Sequence, residues 1–460
     1  MGFSPGAAFQ PDRLVAFCAS LQGGALRPGD AVYEQARAVH NAMIDRRPAV
    51  IARCAGVSDV MRTIEFARTN ELPLTIRAGG HHVAGYSVCD GGVMLDLRPM
   101  KGIRVRPKAR RVRTQAGVTW GEFDRETQVF GLAAPGGVAG TTGVAGLTLG
   151  GGLGYLMRKY GLACDNLVSA DLVTADCRFV QASADEATDL YWGLRGGGGN
   201  FGVVTSLLFE LNPVREVYGG MLLHSTERAG EFLRLYRDVV SQAPDDFGSR
   251  AVLVALPDGT RAVGISALFT GLAEAGERIV APFRRFATPL VDEIGAVSYS
   301  AVQAIEGHHN PPGFRNYLKS NFLRALSDEA IETLTEFAET APSARTQIVI
   351  EHMGGKVARI GRGETAFDCR EAPFNFGAFS VWEDAADDER NIAWTRELCD
   401  AMQPFSEGGI CVNYMGDAAD EGASRSRAGY GDAKRRRLTV LKKKYDPDNF
   451  FRFNHNILPS

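Results

Sequence analysis

Apolar positions from Ala49 to Leu97 switch between two periods. AVIARCAG, LPLTIRAGG and GGVMLDL read as short strands, whereas DVMRTIEFARTNE repeats Val60, Ile64 and Ala67 at helical spacing. Ser58, just before Asp59, is the expected cap of that helix. IRVRPKARRVRTQAGVTW alternates like a hairpin, and GEFDRETQVFGLAAPGG reads as a helix closed by Gly131. Strand patterns return between Asn166 and Leu211 in LVSADLVTAD, RFVQAS and GVVTSLLFEL, and Pro213 marks a boundary. Beyond it, VYGGMLLHS, SRAVLVAL and RAVGISALFTG predict antiparallel strands accompanied by a helix around AGEFLRLYRDVVSQA, an α+β unit. AKRRRLTVLKKKYDPDNFFRFNHNILPS predicts a basic helix ending near Tyr445, then an aperiodic tail that packs back on an earlier domain. Lys442 to Lys444 are expected on a solvated face of that helix, where cations suit the dipole.

Composition narrows the function classes. A chain of 460 residues exceeds one ordinary core, so two connected domains are expected. A net charge of -3 implies no polyanionic partner, and nucleic acid is excluded on that ground. MGFSPGAAFQPDRLVAFCAS lacks a leader pattern, and no run is apolar and long enough to span a bilayer, so the expectation is a cytoplasmic protein with no membrane partner. Eight cysteines without a CxxC pair suggest neither a disulfide framework nor a metal site. Glycine stands out: 53 residues, clustered between Gly79 and Gly202, exceed the usual share of roughly 7%. Backbone there must approach something closely.

Three glycine loops carry the candidate chemistry. TIRAGGHHVAGYSV sets Gly79 and Gly80 after a strand and before His81 and His82, a backbone able to cradle a pyrophosphate, with Arg77 as a nearby charge. Taken alone, that loop is equally an ordinary glycine turn. The second, PGGVAGTTGVAGLTLGGGLGYLMRKYGLACDN, is neither a GxGxxG turn nor a Walker loop, which argues against a nicotinamide cofactor or nucleotide hydrolysis. A third, RGGGGNFGVV, adds four consecutive glycines, then Asn200 and Gly202. Their apolar, patterned flanks make linkers an unsuitable reading and a large flat ligand a suitable one.

With these motifs, ARAVHNAMIDRRPAVIARCAG and KKKYDPDNFFRFNHNI, the chain resembles the berberine-bridge-enzyme-like branch of the vanillyl-alcohol oxidase superfamily. The resemblance spans nearly the whole chain. It implies an α+β fold: a two-part FAD-binding domain (1–213, core about 46–213), a substrate domain on an antiparallel sheet (214–439) and a returning C-terminal segment (440–460). It implies FAD bonded covalently to His81, with the cofactor surrounded by Arg77, Ala78, Gly79, Gly80, His82 and Gly85. From the second loop it adds Gly137, Thr141, Thr142, Gly146, Gly150, Gly151 and Gly154. Asn200, Gly202 and Val204 follow in the third, and Asn413, Asn454 and Asn456 near the C-terminus. Bicovalent members use a second, cysteinyl link; Ala139 aligns with that cysteine, so one link is expected, and Cys164 reads as a small buried residue. A cationic imidazole on the ring would favour the reduced flavin and raise its potential.

The implied activity is oxidation of a small-molecule alcohol or amine by hydride transfer, with molecular oxygen reoxidising the flavin to give hydrogen peroxide. Thr142 aligns with a position, usually Val or Leu, linked to oxygen access, which leaves a dehydrogenase with another acceptor as the alternative. A non-catalytic flavin-binding protein and a cell-wall-precursor-type reductase are the other classes; His81 argues against the reductase. Tyr414, beside Asn413, is the implied base, and a tyrosine near its reference pKa of roughly 10 needs a cation to lower it, for which Arg370 is the expected neighbour. The structural alternative for Tyr414 is a packed aromatic with a tethered hydroxyl. Glu371 and His352 are rival bases, and Lys319 is either a cavity residue or a snorkelling surface lysine. Nothing in 214–409 names the substrate.

Overall fold

The computed structural model describes residues 11–305, 311–417, 420–421 and 427–459. The first part of the N-terminal stretch read as lacking a leader, 1–10, lies outside them.

Two sheets build the first half of the chain. Val50–Arg53, Val93–Asp96 and Leu74–Arg77 lie parallel in that spatial order, with Ala25–Leu26 antiparallel at one edge. An antiparallel sheet follows, ordered Ile103–Arg106, Arg111–Gln115, Val203–Glu210, Leu167–Val173 and Phe179–Ser183. Helix Val57–Thr69 packs between the two, with Val60, Ile64 and Ala67 fully buried, as their spacing predicts. Ser58 is not its cap. The helix begins two residues earlier after Gly56, because the Asp59 carboxylate accepts the amides of Gln22, Gly23 and Ala55 at 2.9–3.0 Å and ties the helix start to the preceding chain.

The second half is one large antiparallel sheet. Its order is Val291–Asp292, Glu216–Ser225, Arg261–Phe269, Phe247–Ala255, Gln347–His352, Phe374–Trp382 and Arg315–Leu323. Four helices, Ala229–Ser241, Ala273–Arg284, Asp328–Glu339 and Asp388–Ala401, bury their apolar faces on one side of it together with Ala251, Leu253, Ile348, Ile350, Phe376 and Ala378. Strand alternation therefore turns Arg250, Gln347, Glu351, Asn375 and Phe379 to the opposite side. That side carries the chemistry.

Helix Asp432–Tyr445 ends where the sequence predicts, but Lys442 does not lie on a solvated face. Its ammonium is fully buried, donating to Asp446 at 2.6 Å, to the Phe451 carbonyl at 2.8 Å and to the Asn200 carbonyl at 2.9 Å. Asp446 in turn accepts the amides of Phe450 and Phe451. The pair acts as a hub that turns the tail back onto the third glycine loop. Asn200 completes the clamp, donating to the His455 carbonyl and accepting from the Ile457 amide.

Candidate active site

The first two glycine loops interlock through their backbones. A Cβ on Gly79 would lie inside the backbone of Gly143, and one on Gly143 inside that of Gly79, so neither loop closes with any other residue there. Gly150 answers to a different neighbour, Asn413. That side chain accepts from the Gly152 amide at 3.0 Å and donates to the Leu147 carbonyl at 3.1 Å, occupying the space a Gly150 Cβ would need.

These loops form one wall of a cavity of ≈ 360 Å³, and the open side of the large sheet forms the other. Of the residues expected around the cofactor, Ala78, Gly79, Gly80, His81, His82, Gly137, Thr142, Gly146, Gly150, Gly202, Val204, Asn413 and Asn454 line it, as does Tyr414. The others stand behind the wall. Arg77 runs beneath the first loop, donates to the Ala36 carbonyl, and is drawn down to about 10 by burial and the neighbouring Arg98. Gly85 and Gly151 take positive φ, 65° and 121°, and pack on Ile44 and Phe367. Gly154 lies against the Gly136 carbonyl, Asn200 holds the tail, and Asn456 carries a buried Oδ1 with no bonded partner among the described residues. Thr141 reaches His81 through its backbone. Cys164 is fully buried in an apolar cluster, as read.

His81 lies against two neighbours. Its ring stacks on His40 at 4.0 Å, and Thr142 Oγ1 is 3.5 Å from its Nδ1. Burial, then His40, pushes its pKa down to about 3, so the ring is neutral and one nitrogen keeps its lone pair. His82 is held well below the usual value by burial and by His455, which itself is pushed down to about 4. The tautomers follow from the hydrogen bonds. Ala84 N–H donates to His82 Nδ1, so His82 Nε2–H donates across 2.9 Å to His455 Nε2, and the His455 proton sits on Nδ1. That Nδ1 is buried, with no bonded partner among the described residues.

The sheet wall is arranged otherwise. Tyr414 donates to Glu351 Oε1 at 3.0 Å; Asn375 Nδ2 donates to Glu351 Oε2 at 2.7 Å; Arg250 Nε stands 3.5 Å from Oε1. Burial first, and the Glu351 carboxylate second, hold the Tyr414 phenol well above its ordinary value, with Arg250 pulling the other way. Arg370 is not the cation beside it. Its guanidinium forms a buried bidentate pair with Asp165, at 2.6 and 3.0 Å, and donates to Thr365. The rival bases also lie elsewhere: His352 turns to the opposite face and accepts from Arg158, and Glu371 is paired with Arg362 at the surface. Lys319 is buried between Asp420 and Glu421, so it does not snorkel.

His40, Arg250, Gln347, Glu351 and His455 were not singled out from the sequence. For Glu351 a signal existed. In QIVIEH every other residue is polar or small enough to face a site, a regular departure in a strand otherwise buried on both sides.

The site fits FAD on two observations. Gly146 and Gly199 keep ordinary φ, and a Cβ on either would meet nothing within 4 Å, yet both line the cavity. The fold itself does not require glycine there; a flat ligand over them does. The buried His455 Nδ1–H and Asn454 Oδ1 lie on the same wall and have no bonded partner among the described residues. Fold and site thus define a flavin-binding oxidoreductase.

Comparison with known proteins agrees. Residues 48–183 match the FAD binding domain family, and 412–458 the family described as berberine and berberine like. An FAD-linked oxidoreductase of Dictyostelium discoideum is 30% identical over 446 residues, covering 96% of each chain. The (R)-6-hydroxynicotine oxidase of Paenarthrobacter nicotinovorans is 30% identical over 452 residues, 96% of this chain and 97% of that one. The crystal structure of 6-hydroxy-D-nicotine oxidase from Arthrobacter nicotinovorans superposes with a TM-score of 0.86 at 28% identity, over 96% of this chain and 99% of that one. The chain belongs to the berberine-bridge-enzyme-like family of FAD-linked oxidoreductases. Among the described residues, no helix is long and apolar enough to cross a membrane.

Proposed function

We propose that this enzyme carries FAD on a single covalent link to His81 and oxidises a small, largely apolar alcohol or amine, with molecular oxygen as the final acceptor and hydrogen peroxide as product. The observation that carries the reading is His81 itself: a neutral imidazole lining the same cavity as Gly146 and Gly199, where a Cβ would meet nothing within 4 Å. When bound, FAD supplies the acceptor for a hydride. The chain's residues do the rest. Residues 1–213 hold the cofactor, 214–439 cover the substrate, and 440–460 close the site. Phe379, Leu318, Val381 and Val412 exclude water over the substrate, and Tyr414 presents the polar atom that receives its X–H group. Ala139 on the cavity wall supports one link rather than two. The two nicotine oxidases named above support an amine among the first compounds to try. Eight free cysteines support a cytoplasmic location.

A dehydrogenase with another acceptor is the second reading, favoured by the Thr142 hydroxyl beside His81 where related chains carry an aliphatic residue. Stopped-flow mixing of reduced enzyme with oxygen separates them, a flavin that stays reduced in air for minutes selecting the dehydrogenase. Acid precipitation tests the link. The wild type should keep its yellow colour in the pellet, and His81→Ala should release it and oxidise substrate at least about tenfold more slowly. Colour retained in the His81→Ala pellet would overturn the assignment.

A further inference from the structure

We propose that the hairpin 103–115, at the edge of the five-stranded sheet, docks the enzyme on an anionic lipid surface. The inference goes beyond the flavin chemistry and does not depend on it. Strand Ile103–Arg106 is the outermost of that sheet, and its neighbour is Arg111–Gln115. Alternation turns Ile103, Val105, Val112 and Thr114 toward the core and Arg104, Arg106, Arg111 and Arg113 outward. Register then sets Arg104 directly opposite Arg113, and Arg106 directly opposite Arg111. Like charges in opposed positions destabilise a strand pair, so two such rungs in succession work against the fold. The turn between the strands adds Lys108 and Arg110. Of these cations Arg113 is compensated, by Asp171 at 2.6 Å. Arg104, Arg106, Lys108, Arg110 and Arg111 are exposed and form no ion pair among the described residues. Glu210, on the next strand inward, is the acid in register with Arg111. A net charge of -3 for the whole chain averages this patch away.

The same end of the sheet carries an apolar tip. Beyond Glu210 the chain touches both: the Leu211 amide donates to the Arg110 carbonyl at 2.7 Å, and Pro213 then pairs with Leu132. Two residues before Leu132 the chain turns at Val129 and Phe130, which are 76% and 44% exposed. The Arg215 side chain lies against Gly131 in that turn and adds another cation. Exposed aliphatic and aromatic side chains beside a cluster of uncompensated cations match a bilayer interface. The cations meet anionic headgroups, and the tip enters the boundary with the acyl chains. A single-stranded nucleic acid would call for aromatic rings among the cations, on which its bases stack, and 103–115 contains no aromatic residue. Docking of this kind needs no spanning helix, and the cytoplasmic leaflet is the negatively charged one.

The test is sedimentation of the holoenzyme with large unilamellar vesicles. At about 0.05 M salt it should pellet with phosphatidylcholine vesicles that hold about a third phosphatidylglycerol, and stay in solution with phosphatidylcholine alone. Raising the salt to about 0.5 M should release it. Arg104→Thr/Arg106→Thr/Arg111→Thr removes three cations and, at about fivefold for each, should weaken binding by roughly 10²-fold. Arg104→Lys/Arg106→Lys/Arg111→Lys keeps the charge and should bind nearly as well as the wild type. Phe130→Ser should weaken binding several-fold at either salt concentration, since its contribution is not electrostatic. A second readout needs no vesicles: Arg106→Thr relieves a like-charge rung and should raise the thermal midpoint slightly. A wild type that fails to pellet with the anionic vesicles at low salt overturns the proposal. So does a threonine variant that binds like the wild type, or a single-stranded RNA that strips the enzyme from the vesicles at equal charge. A midpoint that falls by several degrees in Arg106→Thr would assign these arginines to the fold instead.

Discussion

The two walls of the cavity solve the same problem with opposite materials. The flavin-side wall is backbone: interlocked glycines, three imidazoles kept neutral by burial, and no ionised side chain among the described residues that line it. Across the cavity the wall is side chain: Arg250 and Tyr414 line it from a strand and a turn, with Glu351 and Asn375 behind them and ionised groups compensating one another. A wall that holds a large cofactor needs room and fixed dipoles, which backbone supplies. One that handles a proton needs groups able to change charge.

The largest expected effect breaks this contrast at its simplest point. Gly146→Val or Gly199→Val fills space that no atom among the described residues occupies, so the fold should persist while flavin binding is lost. Purified protein should be colourless, with flavin content below about a tenth of the wild type. Val381→Leu, on the sheet wall, should keep its colour and change only which reductants bleach it. A yellow Gly146→Val protein would remove the main support for the site.

The contrast also explains what the sequence disclosed. The glycine wall is contiguous in the chain, so its loops were legible as motifs, and the strands flanking them were legible from alternation. Gly85, Gly151 and Gly154 carry the same signature for a different reason, tight turns and close backbone contacts, and sequence alone does not separate the two. The sheet wall is assembled from residues about 100, 25 and 40 positions apart, and only strand register brings Arg250 and Asn375 to either side of Glu351. Arg370, near in sequence to the strand Phe374–Trp382, was a reasonable partner for Tyr414 until Asp165 claimed it.

A second prediction concerns what holds the glycine wall from behind. Lys442 and Asp446 form a buried pair whose hydrogen bonds reach the Asn200 loop and the tail. Replacing one member leaves the other charge buried and alone, a cost of about 3–5 kcal/mol. Lys442→Met should therefore lower the thermal midpoint by several degrees, while Lys444→Met, at an exposed ion pair, should shift it little. Equal midpoints for the two variants would mean that the hub is not what fastens the tail.

The smallest effect separates the walls by pH. His455 is almost wholly buried and titrates at about 4 in the fold, against roughly 6.5 when unfolded. The unfolded chain therefore takes up the extra proton first as pH falls. Stability from burying the neutral ring is whole above about pH 6.5 and is lost progressively as pH falls through about 4, by at most about 3.4 kcal/mol for this one group. His81 and His82, depressed in the same direction, should add to the slope. Thermal midpoints measured between pH 7.5 and pH 4.5 should fall steadily for the wild type. In His455→Phe the fall should be shallower even though the midpoint starts lower at neutral pH, since the variant has lost the acceptor of the His82 hydrogen bond along with a titrating ring. Parallel slopes for the two proteins would mean that His455 is not neutral in the fold, and the chain of tautomers that places its proton on Nδ1 would fall with it.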